Sequence, residues 1–71
     1  MEKQEIIKRL WKDARYAVSS LSRPLIYKTL GELSMAVDLK AVSYEDVKGL
    51  YRYLIHDTLN NPVYLHNLND V

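Results

Sequence analysis

Three segments of the chain show a helical pattern of hydrophobic positions. Apolar residues recur at spacings of three and four, which places them on one face of an α-helix. They are Ile7, Trp11, Ala14, Val18 and Leu21 in the first segment, with Ile6, Leu10 and Ala17 beside them, Ile26, Leu30, Leu33 and Val37 in the second, and Val47, Leu50, Tyr51, Leu54, Thr58 and Leu59 in the third. The pattern predicts helices at about residues 2–20, 24–39 and 44–60.

Polar residues mark the ends of these predicted helices. Pro24 follows a group of serines, and serine caps helices while proline fits the first helical turn. Ser43 precedes Asp46 by three residues, the spacing of a capping box. An Asn-Asn-Pro sequence ends the third helix. In the tail, residues 61–71, the apolar residues Leu65, Leu68 and Val71 are three positions apart. This spacing predicts one short helical turn that packs back on the bundle.

Length and composition narrow the fold class. The chain has 71 residues with only two glycines and two prolines, too few for the many tight turns of an all-β domain. We therefore predict an all-α fold: one domain, residues 1–71, built as a small three-helix bundle with a short C-terminal appendage. A core of this size supplies only about 3–5 kcal/mol, and no disulfide can add to it, which favours self-association.

Few residues are suited to catalytic or metal chemistry. The absence of cysteine excludes thiol nucleophiles and cysteine-based metal centres, and there is no glycine-rich phosphate-binding motif. Glu45 and Asp46 are adjacent in the sequence, as are His56 and Asp57. Adjacent residues point about 100° apart on a helix, so neither pair of side chains converges on one point. His56 and His66 lack a metal-ligand spacing. We predict no enzymatic activity, no cofactor and no metal.

The sequence shows no sign of membrane insertion or export. No apolar run approaches the roughly 18 residues of a spanning helix. Charges interrupt the apolar positions near the N-terminus, unlike those of a secretory signal. Together with the absence of cysteine, these observations predict a cytoplasmic protein without a membrane partner.

Charge is distributed unevenly, although the net charge is only +1. Residues 1–28 carry seven cations and three anions, a net +4, while residues 29–71 carry three cations and six anions, a net −3. One interpretation is a basic binding face on the first helix, formed by Lys8, Arg9, Lys12 and Arg15. The other is attraction between the two halves, within one chain or across a dimer, through acids such as Glu45, Asp46 and Asp57.

A nucleic-acid-binding regulator is the alternative function that the basic face suggests. The second and third helices could form a helix-turn-helix, with Ala36 near the usual small position. The turn, however, has Lys40 where a glycine is usual. The third helix also begins with Glu45 and Asp46, whose carboxylates would repel phosphates. These features favour a protein partner over nucleic acid.

The aromatic residues indicate a partner surface. There are six tyrosines, one tryptophan and no phenylalanine, and Tyr and Trp are enriched at protein interfaces. Tyr16 and Tyr53 fall outside the predicted apolar faces. The candidate partner surface comprises Trp11, Tyr16, Tyr27, Tyr51 and Tyr53. We therefore predict a small non-enzymatic protein-interaction module or regulator that forms a homodimer, with the first helix near the interface.

Overall fold

The computed structural model describes residues 2–71, which form helices and no strand. The elements are α1 (Lys3–Ser19), α2 (Arg23–Asp38), α3 (Tyr44–Tyr51), a π-helix (Arg52–Leu59) that continues from α3, and α4 (Pro62–Leu65). Helices account for 76% of these residues, and the prediction of a small all-α bundle is confirmed. None of these helices is both long and apolar enough to cross a membrane.

One hydrophobic core lies where α1 packs against α2, α3 and the π-helix. Its largest fully buried apolar side chains are Ile26, Leu33, Leu50 and Leu54. On α1 the buried positions include Leu10 and Ala17, whereas Ile7 and Trp11 are only half-buried. The buried side of α1 therefore includes part of the predicted row and the residues predicted beside it, with Trp11 at its edge.

The two turns between the long helices have the same backbone geometry. Each contains a Schellman motif, in which the two residues after the helix cap donate their amides to carbonyls of the last helical turn. Leu21 in the first turn has a φ of 51°, and Lys40 in the second has a φ of 60°. Glycine adopts this left-handed conformation most easily, so each turn needs other contacts to hold a bulkier residue there.

The first turn is held by the tail of the chain. The amide of Arg23 donates to the carbonyl of Asn69 at 2.7 Å, and the amide of Asn69 donates to the carbonyl of Leu21. Ser22 caps α2 by accepting from the Leu25 amide, and its hydroxyl donates to the carbonyl of Val71 at 2.8 Å. The tail therefore satisfies polar groups at the beginning of α2.

Side chains add less to the docking of the tail than the sequence predicts. Leu68 packs against the core as expected, but Leu65 is 43% exposed and Val71 is 92% exposed. The helical turn of the tail is α4, which ends at Leu65. Leu68 and Val71 lie beyond it, so the three residues do not share one helical face. An ion pair between Arg23 and Asp70, at 2.9 Å, joins the tail to α2 on the surface.

The second turn is held by the capping box that the sequence predicts. The amide of Asp46 donates to the hydroxyl of Ser43 at 3.2 Å, and the amide of Ser43 donates to Oδ2 of Asp46 at 2.9 Å. Nζ of Lys3, from α1, lies 3.5 Å from the same carboxylate. The hydrogen bond from the Ser43 amide is the main reason why the pKa of Asp46 lies below its ordinary value of 3.8.

The π-helix is not predicted by the apolar spacing. The hydroxyl of the buried Thr58 donates at 2.8 Å to the carbonyl of Tyr53, five residues earlier. In the α-helical α2, Thr29 makes the corresponding bond to Leu25, only four residues earlier, at 2.9 Å. Most π-helical segments are single turns inside α-helices. This one continues for 8 residues, so it sets the side-chain directions of the second half of the third helix.

Candidate functional site

Trp11 and Tyr53 pack against each other where α1 meets the π-helix. Their ring centroids are 5.7 Å apart, and their planes are inclined by 35°. Gly49 lies beside the indole, because a Cβ at position 49 would meet Cζ2 of Trp11 at 3.7 Å. The expectation that Tyr53 lies away from the apolar face is wrong, since Tyr53 is half-buried against the core. Trp11 of α1 covers the side of the third helix that carries Tyr53. The apolar spacing within the third segment cannot show this contact, because Trp11 belongs to another segment.

Tyr51 packs on the flank of α3 that faces α2. Its ring stacks on that of Tyr44, with centroids 5.8 Å apart, and its hydroxyl lies 3.2 Å from that of Ser34. Tyr16 and Tyr27, by contrast, are 64% and 56% exposed. The structure therefore divides the five aromatic residues of the candidate partner surface. Trp11, Tyr51 and Tyr53 pack between helices, while two tyrosines face solvent.

The four predicted cations lie together on the solvent side of α1. This basic face consists of Lys8, Arg9, Lys12 and Arg15. All four side chains are exposed, and within residues 2–71 no carboxylate oxygen lies within 4.0 Å of their nitrogens. The guanidinium carbon of Arg15 is 6.0 Å from the centre of the Trp11 ring, at the outer limit of a cation–π contact.

The acids expected to attract the basic face are engaged elsewhere. The ion pairs of the described chain are Lys3–Asp46, Arg23–Asp70, Lys48–Glu45 and His56–Asp57. Only the first two join residues 1–28 to residues 29–71. Pairing between the two halves of one chain therefore does not account for the four cations of the basic face.

A groove between α1 and α2 holds two carboxylates that the sequence analysis did not bring together. Asp13 and Glu32 are both half-buried and line this acidic groove with Tyr16, Leu25 and Lys28. Burial raises the pKa of Glu32 above its ordinary value of 4.5, and the Asp13 carboxyl raises it further, while Lys28 opposes the change. In the described part of the chain, no Lys, Arg or His nitrogen comes within 4.0 Å of either carboxylate.

The chemistry open to the acidic groove is limited. Two neighbouring carboxyl groups can share a proton, since like charges disfavour full ionisation. Among residues 2–71, however, no group of three His, Asp or Glu side chains is placed to hold a metal ion. The acids and histidine weighed for catalysis, Glu45, Asp46, His56 and Asp57, lie at the surface in the ion pairs described above. The groove therefore concentrates the negative charge of Asp13 and Glu32, which a cation of suitable size would neutralise.

Comparison with known protein families, curated proteins and solved structures finds no significant match to this chain. Two charged features remain as candidate binding sites: the basic face on α1 and the acidic groove between α1 and α2.

Proposed function

We propose that the protein is a small non-enzymatic interaction module that acts as a regulator by self-association, and that its basic face makes the contact. The observation that carries the proposal is the row of four exposed cations without a carboxylate in reach in residues 2–71. Charge complementarity across an interface selects the partner and speeds association. The proposed partner is therefore an acidic protein surface, and the proposed location is cytoplasmic.

The size of the core supports self-association. Among residues 2–71, ten apolar residues are buried, and five of these are the small side chains alanine or valine: Ala14, Ala17, Val18, Val42 and Val47. A core of this kind leaves the folded state only marginally stable. Any contact that forms with the folded chain and not with the unfolded chain adds stability by mass action. A dimer interface would supply such a contact.

Nucleic acid is the second candidate partner, favoured by the same four cations. If all four contacted phosphates, affinity would fall with salt with a slope of roughly −3 to −4. Glu5 and Asp13, however, line the same surface depression as the cations and would repel phosphates. We therefore expect only non-specific binding, with a Kd of about 10⁻⁴–10⁻⁶ M near physiological salt.

Sedimentation equilibrium of the whole chain tests the proposal. We expect a dimer at micromolar concentration, and about tenfold weaker association for K8E/K12E. The matched control is K48E/R52E, which reverses two exposed cations at the same spacing on the third helix. The control should associate like the wild type. A wild-type chain that stays monomeric up to millimolar concentration would contradict self-association.

Titration of a fluorescent DNA duplex, and of one of its single strands, at two salt concentrations separates the two candidates. Weak binding that K8E/K12E and K48E/R52E reduce alike supports the protein partner. A nanomolar complex that only K8E/K12E abolishes would reverse the ranking in favour of nucleic acid.

A further inference from the structure

We propose that the basic face of one copy docks onto the acidic groove of a second copy, while its own acidic groove receives the basic face of that copy. The inference rests on the proposed self-association and names the surface that the basic face contacts. The result is a two-fold dimer in which α1 of each copy lies at the interface.

The first argument is that the two charged features lie side by side. Asp13 lines both the depression of the basic face and the acidic groove. A two-fold interface requires a surface that complements itself, because a contact of one group with a second group across the axis is repeated with the two copies exchanged. A patch that carries cations on one side and carboxylates on the other meets this requirement. A uniformly basic patch would repel a second copy of itself.

Within residues 2–71, both charged features also lack an ionic partner. In residues 2–71 the basic face contacts no carboxylate, and neither Asp13 nor Glu32 forms an ion pair. The two acids are also half-buried beside each other, which is unfavourable when both are ionised. A lysine or arginine from outside would relieve that repulsion.

The shape and lining of the acidic groove suit a long cationic side chain. Ala17, Leu25 and the ring of Tyr16 line the groove beside the carboxylates. Lys and Arg pack their aliphatic stems along apolar surface while the charged group remains at a polar site. The cations of the basic face have such stems and are free to extend, except for Arg15, which lies beside Trp11.

The proposal predicts that association depends on pH in a defined direction. In the free chain, the groups facing Glu32 are Asp13 and Tyr16 from α1 and Lys28 from its own helix. The raised pKa of Glu32 means that the groove holds a proton more firmly than a free carboxylate does. A docked cation replaces that proton. Dimer formation therefore releases protons and strengthens as the pH rises through the raised pKa of Glu32.

The decisive variant is D13N/E32Q, which keeps the shape of both side chains and removes their charge. We expect about tenfold weaker association by sedimentation equilibrium at pH 7, and loss of its pH dependence. Circular dichroism should show a fold at least as stable as the wild type at this pH, because the repulsion between the acids is gone. A purely structural role for the acids would instead lower stability without changing association.

A charge exchange between copies provides an independent test. D13K/E32K and K8E/K12E should each dimerise more weakly than the wild type when alone and should form a mixed dimer preferentially when combined, seen by mass spectrometry under native conditions. If D13K/E32K does not fold, D13N/E32Q decides the question alone.

The outcomes separate this inference from the proposed function. If D13N/E32Q dimerises like the wild type while K8E/K12E does not, the acidic groove is not the docking site but self-association through the basic face stands. If the wild type is monomeric, both proposals fail.

Discussion

The two turns of the bundle share one backbone conformation but are supported in different ways. Each holds a non-glycine residue, Leu21 or Lys40, in the left-handed region. The first turn is supported from a distance, since Ser22 contacts Val71, 49 positions away. The second is supported locally by Ser43 and the residues that follow it. The same local geometry therefore does not reveal whether a turn depends on the rest of the chain.

The largest effect that tests this comparison is expected from the two serine caps. Ser22→Ala should lower the free energy of unfolding by about 2 kcal/mol, because it removes both the cap of α2 and the hydrogen bond to Val71. Ser43→Ala removes only a cap and should cost about 1 kcal/mol. Urea denaturation measures both. Equal losses would mean that the hydrogen bond from Ser22 to Val71 adds nothing to the stability of the first turn.

A smaller effect, and a stabilising one, is expected from glycine at the second turn. Lys40→Gly should raise the free energy of unfolding by up to about 1 kcal/mol, because glycine adopts the left-handed conformation without strain and the Lys40 side chain is exposed. Lys40→Ala is the control, since it removes the charge and keeps the strain, and should give no gain. Leu21→Gly should give no gain either, because Leu21 is half-buried. A stabilised Lys40→Ala would contradict the role of backbone strain.

The smallest expected effect is a dependence of the second turn on pH. Since the pKa of Asp46 is lower in the folded chain than its ordinary 3.8, this residue contributes stability that is present above that value. The contribution is lost as the pH falls below it and the carboxylate is protonated. Asp46→Asn should therefore reduce the loss of stability in acid, measured by urea denaturation at a series of pH values. An unchanged acid dependence in Asp46→Asn would show that the capping box does not survive in solution.

The features predictable from the sequence are those that depend on neighbouring residues. Helical spacing predicts the three long helices, and the Ser43–Asp46 spacing predicts the capping box. The exposed position of Lys8 and Lys12 also follows from spacing, because they lie opposite the apolar row.

The remaining features depend on the packing of distant segments. Asp13 and Glu32 meet only because α1 and α2 fold back on each other, so their proximity has no local signal. Tyr53 lies against Trp11 for the same reason. The π-helix differs from an α-helix in that each hydrogen bond reaches one residue further back along the chain. The spacing of apolar residues such as Leu50 and Leu54 fits an α-helix equally well, so it does not reveal this difference.

The contacts between the tail and the first turn also affect the time course of folding. They join residues 47 and 49 positions apart, whereas hydrogen bonds within the helices join residues only a few positions apart. The entropy lost on closing a loop grows with its length, so we expect the helices to pair before the tail docks. Contacts at the edge of a structure also open most easily. We therefore expect the amide of Arg23, which donates to Asn69, to exchange its hydrogen with solvent sooner than amides in the middle of α2.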